Sequence, residues 1–258
     1  MAKQDRRSSV QDVVYSTLRD SIIYLNLAPG TAISETEISL KFQVSRTPVR
    51  EAFIHLSKEG LVEVIPQKET LVSLIDPARV EQEFFLRESL ETAVLELFLQ
   101  NNGERYFPEL ENLIVVQGEA IKNKSYIDFI NYDDRFHGIF FEASLQHLSW
   151  DVLASMSGHY HRIRMLSILI AGIAGEKVNE HRKILAALKK GDPEKAKKML
   201  YQHLHNLEAE KKLLQDKFPG YFASEKTKNK FDVDFGGFPL IQAGKGEIQD
   251  KKKKAEKN

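Results

Sequence analysis

The chain has 258 residues, 42% of them hydrophobic, with Lys+Arg and Asp+Glu both at 37 and no cysteine. This length suffices for two modest cores, and the balanced charge requires any nucleic-acid surface to be local. The absence of thiols excludes a disulfide framework and leaves only His, Asp and Glu as strong metal ligands.

No run of eighteen apolar residues occurs, and residues 1–20 are polar and charged, which predicts a cytoplasmic protein without a membrane span. Residues 9–26 predict an amphipathic helix with Val13, Val14, Leu18, Ile22 and Leu25 on one face, ending before Ala28-Pro29-Gly30. Ser34-Glu35-Thr36-Glu37 has the spacing of a reciprocal capping box and opens a short second helix through Ile38, Leu40 and Phe42. Ser45 is placed to cap a third helix that tolerates Pro48 in its first turn and carries Val49, Phe53 and Leu56 as its apolar stripe. After Gly60, the β-favouring segments 61–65 and 70–74 flank Pro66-Gln67-Lys68-Glu69 and predict a two-stranded hairpin.

Three helices and a hairpin by residue 75 predict a winged helix-turn-helix domain over 1–75. Asp76-Pro77 marks the next boundary. From there to 217 the periodicity is helical, with helices expected at 77–101, 106–122, 125–145, 149–170, 174–190 and 193–216. The fold class is therefore mainly α: the winged domain followed by an all-α antiparallel bundle over 76–217. Residues 218–258 carry glycines, scattered aromatics such as Phe231, Phe235 and Phe238, and Lys251 to Lys254, and are expected to be a disordered tail.

In a helix-turn-helix the second helix of the pair enters the major groove, so small polar and basic residues must stand at its N-terminus. Ser45-Arg46-Thr47-Pro48-Val49-Arg50 meets that requirement. Arg46 and Arg50 share a helix face and suit guanine edges or phosphate, while Ser45 and Thr47 suit phosphate oxygens. Two arginines on a solvated face are the alternative reading of the same residues.

These segments, with Pro29-Gly30, Ile33-Ser34-Glu35, Glu51-Ala52 and Glu59-Gly60-Leu61-Val62, resemble the GntR family of bacterial regulators across most of residues 10–75. The resemblance implies that Arg46, Thr47 and Arg50 contact operator DNA and that the wing tip reaches the minor groove. The family's usual Pro-x-Arg-Gly is here Pro66-Gln67-Lys68-Glu69, in which Lys68 keeps the positive charge and Glu69 replaces a conformationally free glycine. A homodimer reading two half-sites is expected on the same grounds.

Of eight histidines, most, including His55, His147 and His159, read as ordinary surface or core residues. Asp133 and His137 differ, because a four-residue spacing puts both on one helix face as a platform for a divalent ion. His181 and His203 lie on the last two helices, joined by Gly191-Asp192-Pro193; spacing alone leaves open whether all three helices converge. His205, two positions past His203, should point elsewhere.

Arg87-x-x-x-Glu91, Asp133-x-x-x-His137 with Phe136, Glu180-His181-x-x-Ile184-x-x-Ala187-Leu188, Gly191-Asp192 and His203-Leu204 together resemble the FCD effector domain of the FadR-type branch, over about residues 78–210. That resemblance implies a divalent metal, zinc first and nickel or manganese next, on Asp133, His137, His181 and His203. It further implies a small carboxylic or sugar acid as effector. Arg87 is expected to grip the acid, against the alternative of a salt bridge to Glu88 or Glu91; Arg162 and Arg164 are secondary candidates. The expected function is a DNA-binding transcription regulator. A metal-dependent hydrolase is the rival class, but no HExxH, GxSxG or phosphate loop occurs. A regulator with a purely structural metal is the third reading.

Overall fold

The computed structural model describes residues 9–65, 68–170 and 172–224. Helix α1 (Val10–Ile23) starts with a reciprocal capping box: Ser9 Oγ accepts the Asp12 amide at 3.1 Å and the Asp12 carboxylate accepts the Ser9 amide at 3.0 Å. It buries Val14, Leu18, Ile22 and Ile23. Helix α2 (Glu35–Phe42) keeps half of the box expected at Ser34. Ser34 Oγ accepts the Glu37 amide at 3.1 Å, but the Glu37 carboxylate takes the Ser34 hydroxyl at 3.0 Å instead of its amide.

Helix α3 (Arg46–Lys58) buries Val49, Ala52, Phe53 and Leu56 against α1 and α2. Ser45 has the extended N-cap backbone but makes no side-chain cap hydrogen bond, so the cap expected there is absent. Gly60, at φ 74°, turns the chain into β2 (Val62–Ile65), which pairs antiparallel with β3 (Glu69–Val72). The sheet has three strands, not two. A short β1 (Ala32–Ile33) pairs with β3 through Ala32↔Leu71 and Ile33↔Thr70, giving the order β1-β3-β2. Two residues are too few to show a strand period, so the sequence gives no sign of this strand.

Asp76 caps α4 (Pro77–Gln100) by accepting the Ala78 amide at 3.0 Å. Helices α5 (Phe107–Lys122) and α6 (Tyr126–Ala143) follow, and Phe98, Phe129, Phe136 and Phe140 fill the core between them. The single helix expected at 149–170 is two: α7 (His147–Met156) and α8 (Gly158–Ile168). Ser157 leaves the helical region at φ −96°, ψ 28°, and its hydroxyl donates to the Leu153 carbonyl at 2.5 Å. A Cβ on Gly158 would lie 2.7 Å from Leu61, so the break lets α8 start hard against the first domain.

Helices α9 (Ile173–Lys189) and α10 (Pro193–Lys217) pack side by side about Gly191, at φ 66°, and Asp192 caps α10 by accepting the Lys195 amide. The expected tail begins too early. Pro219–Tyr221 form a 3-10 turn, and the buried Phe222 bridges Ile75 in parallel, with Ile75 N donating to Tyr221 O at 2.8 Å and Ala223 N donating to Ile75 O at 2.9 Å. Phe222 joins Ile75, Val80 and Leu214 in a small apolar cluster, which is what orders this stretch. The rest of the predicted tail, with Phe231, Phe235, Phe238 and Lys251 to Lys254, lies outside the described residues. Among the described residues no helix is long and apolar enough to cross a membrane.

Candidate functional site

Two regions carry functional chemistry. The first is the start of α3, where Ser45, Arg46, Thr47 and Arg50 are all exposed while Val49 and Phe53 are buried. Arg50 forks onto Glu35 at 2.9 Å through Nε and 3.0 Å through Nη2, with 66% of its side chain still exposed. Arg50 therefore reaches outward from a braced position. Lys68 is exposed just before β3, while Pro66 and Gln67 of the expected wing tip lie outside the described residues.

The second region is inside the helical bundle. Asp133 and His137 from α6, His181 from α9 and His203 from α10 are all buried, and each offers one ligand atom within 4.8 Å of the others. A divalent ion with ligands at about 2.0–2.2 Å holds opposite ligand atoms no more than roughly 4.4 Å apart, so small side-chain adjustments close the set. The bundle thus brings together the four residues that spacing alone left unconnected.

The imidazoles are oriented from behind. His137 Nδ1 donates to Glu91 at 2.6 Å, His181 Nδ1 to Gln117 Oε1 at 2.8 Å, and His203 Nδ1 to Glu180 at 2.7 Å. Gln117 is itself fixed, because its amide nitrogen donates to the Tyr132 carbonyl at 3.2 Å. With Nδ1 as the donor, Nε2 of each ring carries the free lone pair. Among the described residues, the buried side-chain nitrogen and oxygen atoms without a hydrogen bond are His137 Nε2 and His181 Nε2. Burying polar atoms unpaired is costly, and a metal ion satisfies both. Burial is the largest influence on His181 and His203 and pushes both below the ordinary histidine range, so they stand as neutral imidazoles, the form that can ligate a metal. Burial opposes the charge of Asp133, but the Arg164 guanidinium beside it counters that, and the carboxyl is held below its usual range.

A cavity opens beside this cluster, lined by Arg87, Asp133, Arg164, Lys177 and His203 together with Phe129, Ile130 and Tyr160. Arg87 lines it while donating through Nε to Glu91 at 2.5 Å and lying 5.3 Å from the centre of the Tyr160 ring, so the salt-bridge reading is realised in a residue that also faces the cavity. Burial works against both charges of that pair; their mutual attraction nevertheless raises Arg87 and lowers Glu91 to about 2. Arg164 bridges Asp133 at 2.5 Å and Asp134 at 2.6 Å.

Arg162 does not reach this cavity. It is fully buried on the face of α8 turned to the first domain, where it donates to the Ser73 carbonyl at 2.6 Å and to His159 Nδ1 at 3.0 Å. Its expected ligand role is corrected on that ground, since its donors are spent on the domain joint. His205 stacks on Tyr201 and meets Phe84 edge to face, away from the cluster. Within the motifs, Glu180 had no assigned role and Glu91 entered only as an alternative partner of Arg87; Gln117, on α5, carried no sequence signal at all.

Comparison with known proteins agrees with this architecture. Residues 10–72 match the bacterial regulatory proteins of the gntR family, and residues 83–206 match the FCD domain. The chain is 32% identical over 216 residues to the HTH-type transcriptional repressor RspR of Escherichia coli K12, covering 84% of this chain and 95% of that protein. It is 34% identical over 225 residues to an HTH-type transcriptional regulator in an unstable DNA locus of Streptomyces ambofaciens, covering 87% and 94%. Among solved structures, E. coli McbR/YncC superposes with a TM-score of 0.69 at 20% identity, covering 81% of this chain and 99% of that one. A GntR regulator from Rhodococcus sp. RHA1 gives 0.65 at 21% identity, covering 78% and 96%. These relatives are regulators, in line with the reading of the chain as a regulator and not a metallohydrolase. With a helix-turn-helix and wing ahead of an all-helical FCD domain, the chain belongs to the GntR family of transcriptional regulators.

Proposed function

We propose that the protein is a homodimeric, cytoplasmic regulator whose hold on operator DNA is set by a small carboxylic or sugar acid bound beside a divalent metal. The observation that supports this best is the imidazole arrangement: each Nδ1 is engaged from behind while the Nε2 atoms gather with Asp133, and those of His137 and His181 are otherwise unpaired. Asp133, His137, His181 and His203 would hold the ion, and zinc, nickel and manganese all suit a nitrogen and oxygen set. When bound, such an ion offers open coordination positions to a carboxylate. Arg87 and Arg164, on the wall of the same cavity, supply positive charge to the acid.

On the DNA side, Arg46 and Arg50 reach base edges, Ser45 and Thr47 take phosphates at the helix N-terminus, and Lys68 adds a wing contact. Two such helices in a dimer match a pseudo-palindromic operator.

Elemental analysis of protein purified without chelator tests the metal, with one ion per chain expected. Saturating the stripped protein with zinc at about a hundredfold over Kd should raise the melting temperature by roughly 5–10 °C, and His181→Ala should abolish both results. Metal-free protein that zinc does not stabilise would remove this reading of the sensor domain.

A further inference from the structure

The histidines of the cluster are not equally enclosed. His137 and His181 are fully buried, and so are Glu91 and Gln117, which hold them. His203 keeps 7% of its side chain in solvent, and its holder Glu180 keeps 17%. Helix α10 brings only this ring to the cluster, whereas α6 brings two of the four ligands. Outside it lies a groove between α9 and α10 of about 280 Å³, lined by Glu180, Lys183, Met199, Gln202 and Asn206 as well as by His203 itself. At about 30 Å³ per water, that groove has room for a divalent ion that still carries its hydration shell. His203 thus belongs to both places: it lines the groove, where Nδ1 donates to Glu180 Oε2 at 2.7 Å, and it offers a ligand atom to the cluster.

The cavity on the other side is a poorer way in for a cation. Arg87, Arg164 and Lys177 line it, while the carboxylates that pair with them, Glu91, Asp134 and Glu210, do not. In the groove the charged side chains are Glu180 and an exposed Lys183 on a flexible stem. Glu180 is also the one residue that touches the groove and a cluster histidine together.

We propose that the divalent ion enters and leaves through the groove between α9 and α10, with His203 as the ring that opens and Glu180 as the carboxylate that first receives the ion. Turning His203 aside breaks its hydrogen bond to Glu180, and the oxygen so released is an acceptor for the arriving cation. Asp133, His137 and His181 stay in place meanwhile, held by Arg164, Glu91 and Gln117. The ion sheds water as it passes to those three ligands, and His203 returns to close the set. Metal and acid then use separate entrances. This route rests on the metal site proposed above.

Stopped-flow uptake and release of zinc by the full-length protein, read with a chromophoric chelator, tests the route. Gln202→Trp fills an exposed position of the groove without touching a ligand. It should slow uptake and release alike by about tenfold and leave Kd within about twofold of the native value. Lys183→Glu, also exposed, should speed uptake about threefold at low salt, an advantage that fades as salt rises. Native uptake rates in both variants overturn the route and leave the metal site standing. A Gln202→Trp protein with native uptake but faster release overturns it too, since that residue then acts on the bound ion and not on its passage. A native protein that takes up no zinc removes the route and the metal site together.

Discussion

Arg164 donates to Asp133 Oδ2 at 2.5 Å, and the other oxygen of Asp133 lies 3.4 Å from His181 Nε2. One carboxylate thus ties α8 to the histidine cluster. The same helix grips the DNA-binding domain from its first turn: His159 Nε2 donates to the Gly60 carbonyl at 3.2 Å, and Arg162 donates to the Ser73 carbonyl. The cavity wall and the domain joint are therefore faces of a single 11-residue helix.

Gln117 holds the His181 ring through one hydrogen bond and the Tyr132 carbonyl through another. Gln117→Leu should weaken metal binding about 10–100-fold without touching a ligand. Competition with a chromophoric chelator reads that change, and an affinity equal to the native protein's would deny Gln117 its orienting role.

Arg46→Ala should weaken specific operator binding by roughly 1–3 kcal/mol with the fold intact, since it removes one groove-facing fork. Lys68→Ala should instead lower affinity for all sequences and reduce the log–log salt slope by about one. Binding titrations across a salt series separate the two, and a flat salt dependence of the native protein would argue against phosphate contact.

A chain ending at Phe218 lacks Tyr221 and Phe222, and with them the pairing to Ile75. Relative to a chain ending at Ser224, it should lose about 2 kcal/mol, from exposing a buried aromatic, and melt roughly 4–8 °C lower. Equal melting temperatures would mean that the 3-10 turn and its bridge contribute nothing.

His159 is neutral in the fold. Burial is the main cause, Arg162 adds to it, and together they hold the imidazole at about 3 against an ordinary 6.5. Asp76 favours the charged form and Arg79 opposes it, without reversing the outcome. Between those values the unfolded chain binds a proton that the folded chain refuses, so this group stabilises fully above pH 6.5 and loses that contribution as pH falls towards 3. The native protein should therefore destabilise faster than His159→Gln as pH drops below 6.5. Parallel denaturation curves for the two proteins at each pH would contradict this.

Apart from β1 and the break between α7 and α8, the sequence alone determined the helices and strands and their order, because helical periodicity, the Asp-Pro starts at 76 and 192 and the glycine turns at 60 and 191 are local signals that short-range sterics enforce. It also nominated Asp133, His137, His181 and His203, through one four-residue spacing and a family likeness. Tertiary structure decided the rest. Whether α6, α9 and α10 point their histidines at one spot depends on packing between helices distant in sequence, and so does the choice of Glu91, Gln117 and Glu180 to hold them. The two arginines on α8 show the same division. Arg162 and Arg164 look equivalent in sequence, yet two residues along a helix turn a side chain through about 200°, which sends one to the domain joint and the other to the cavity.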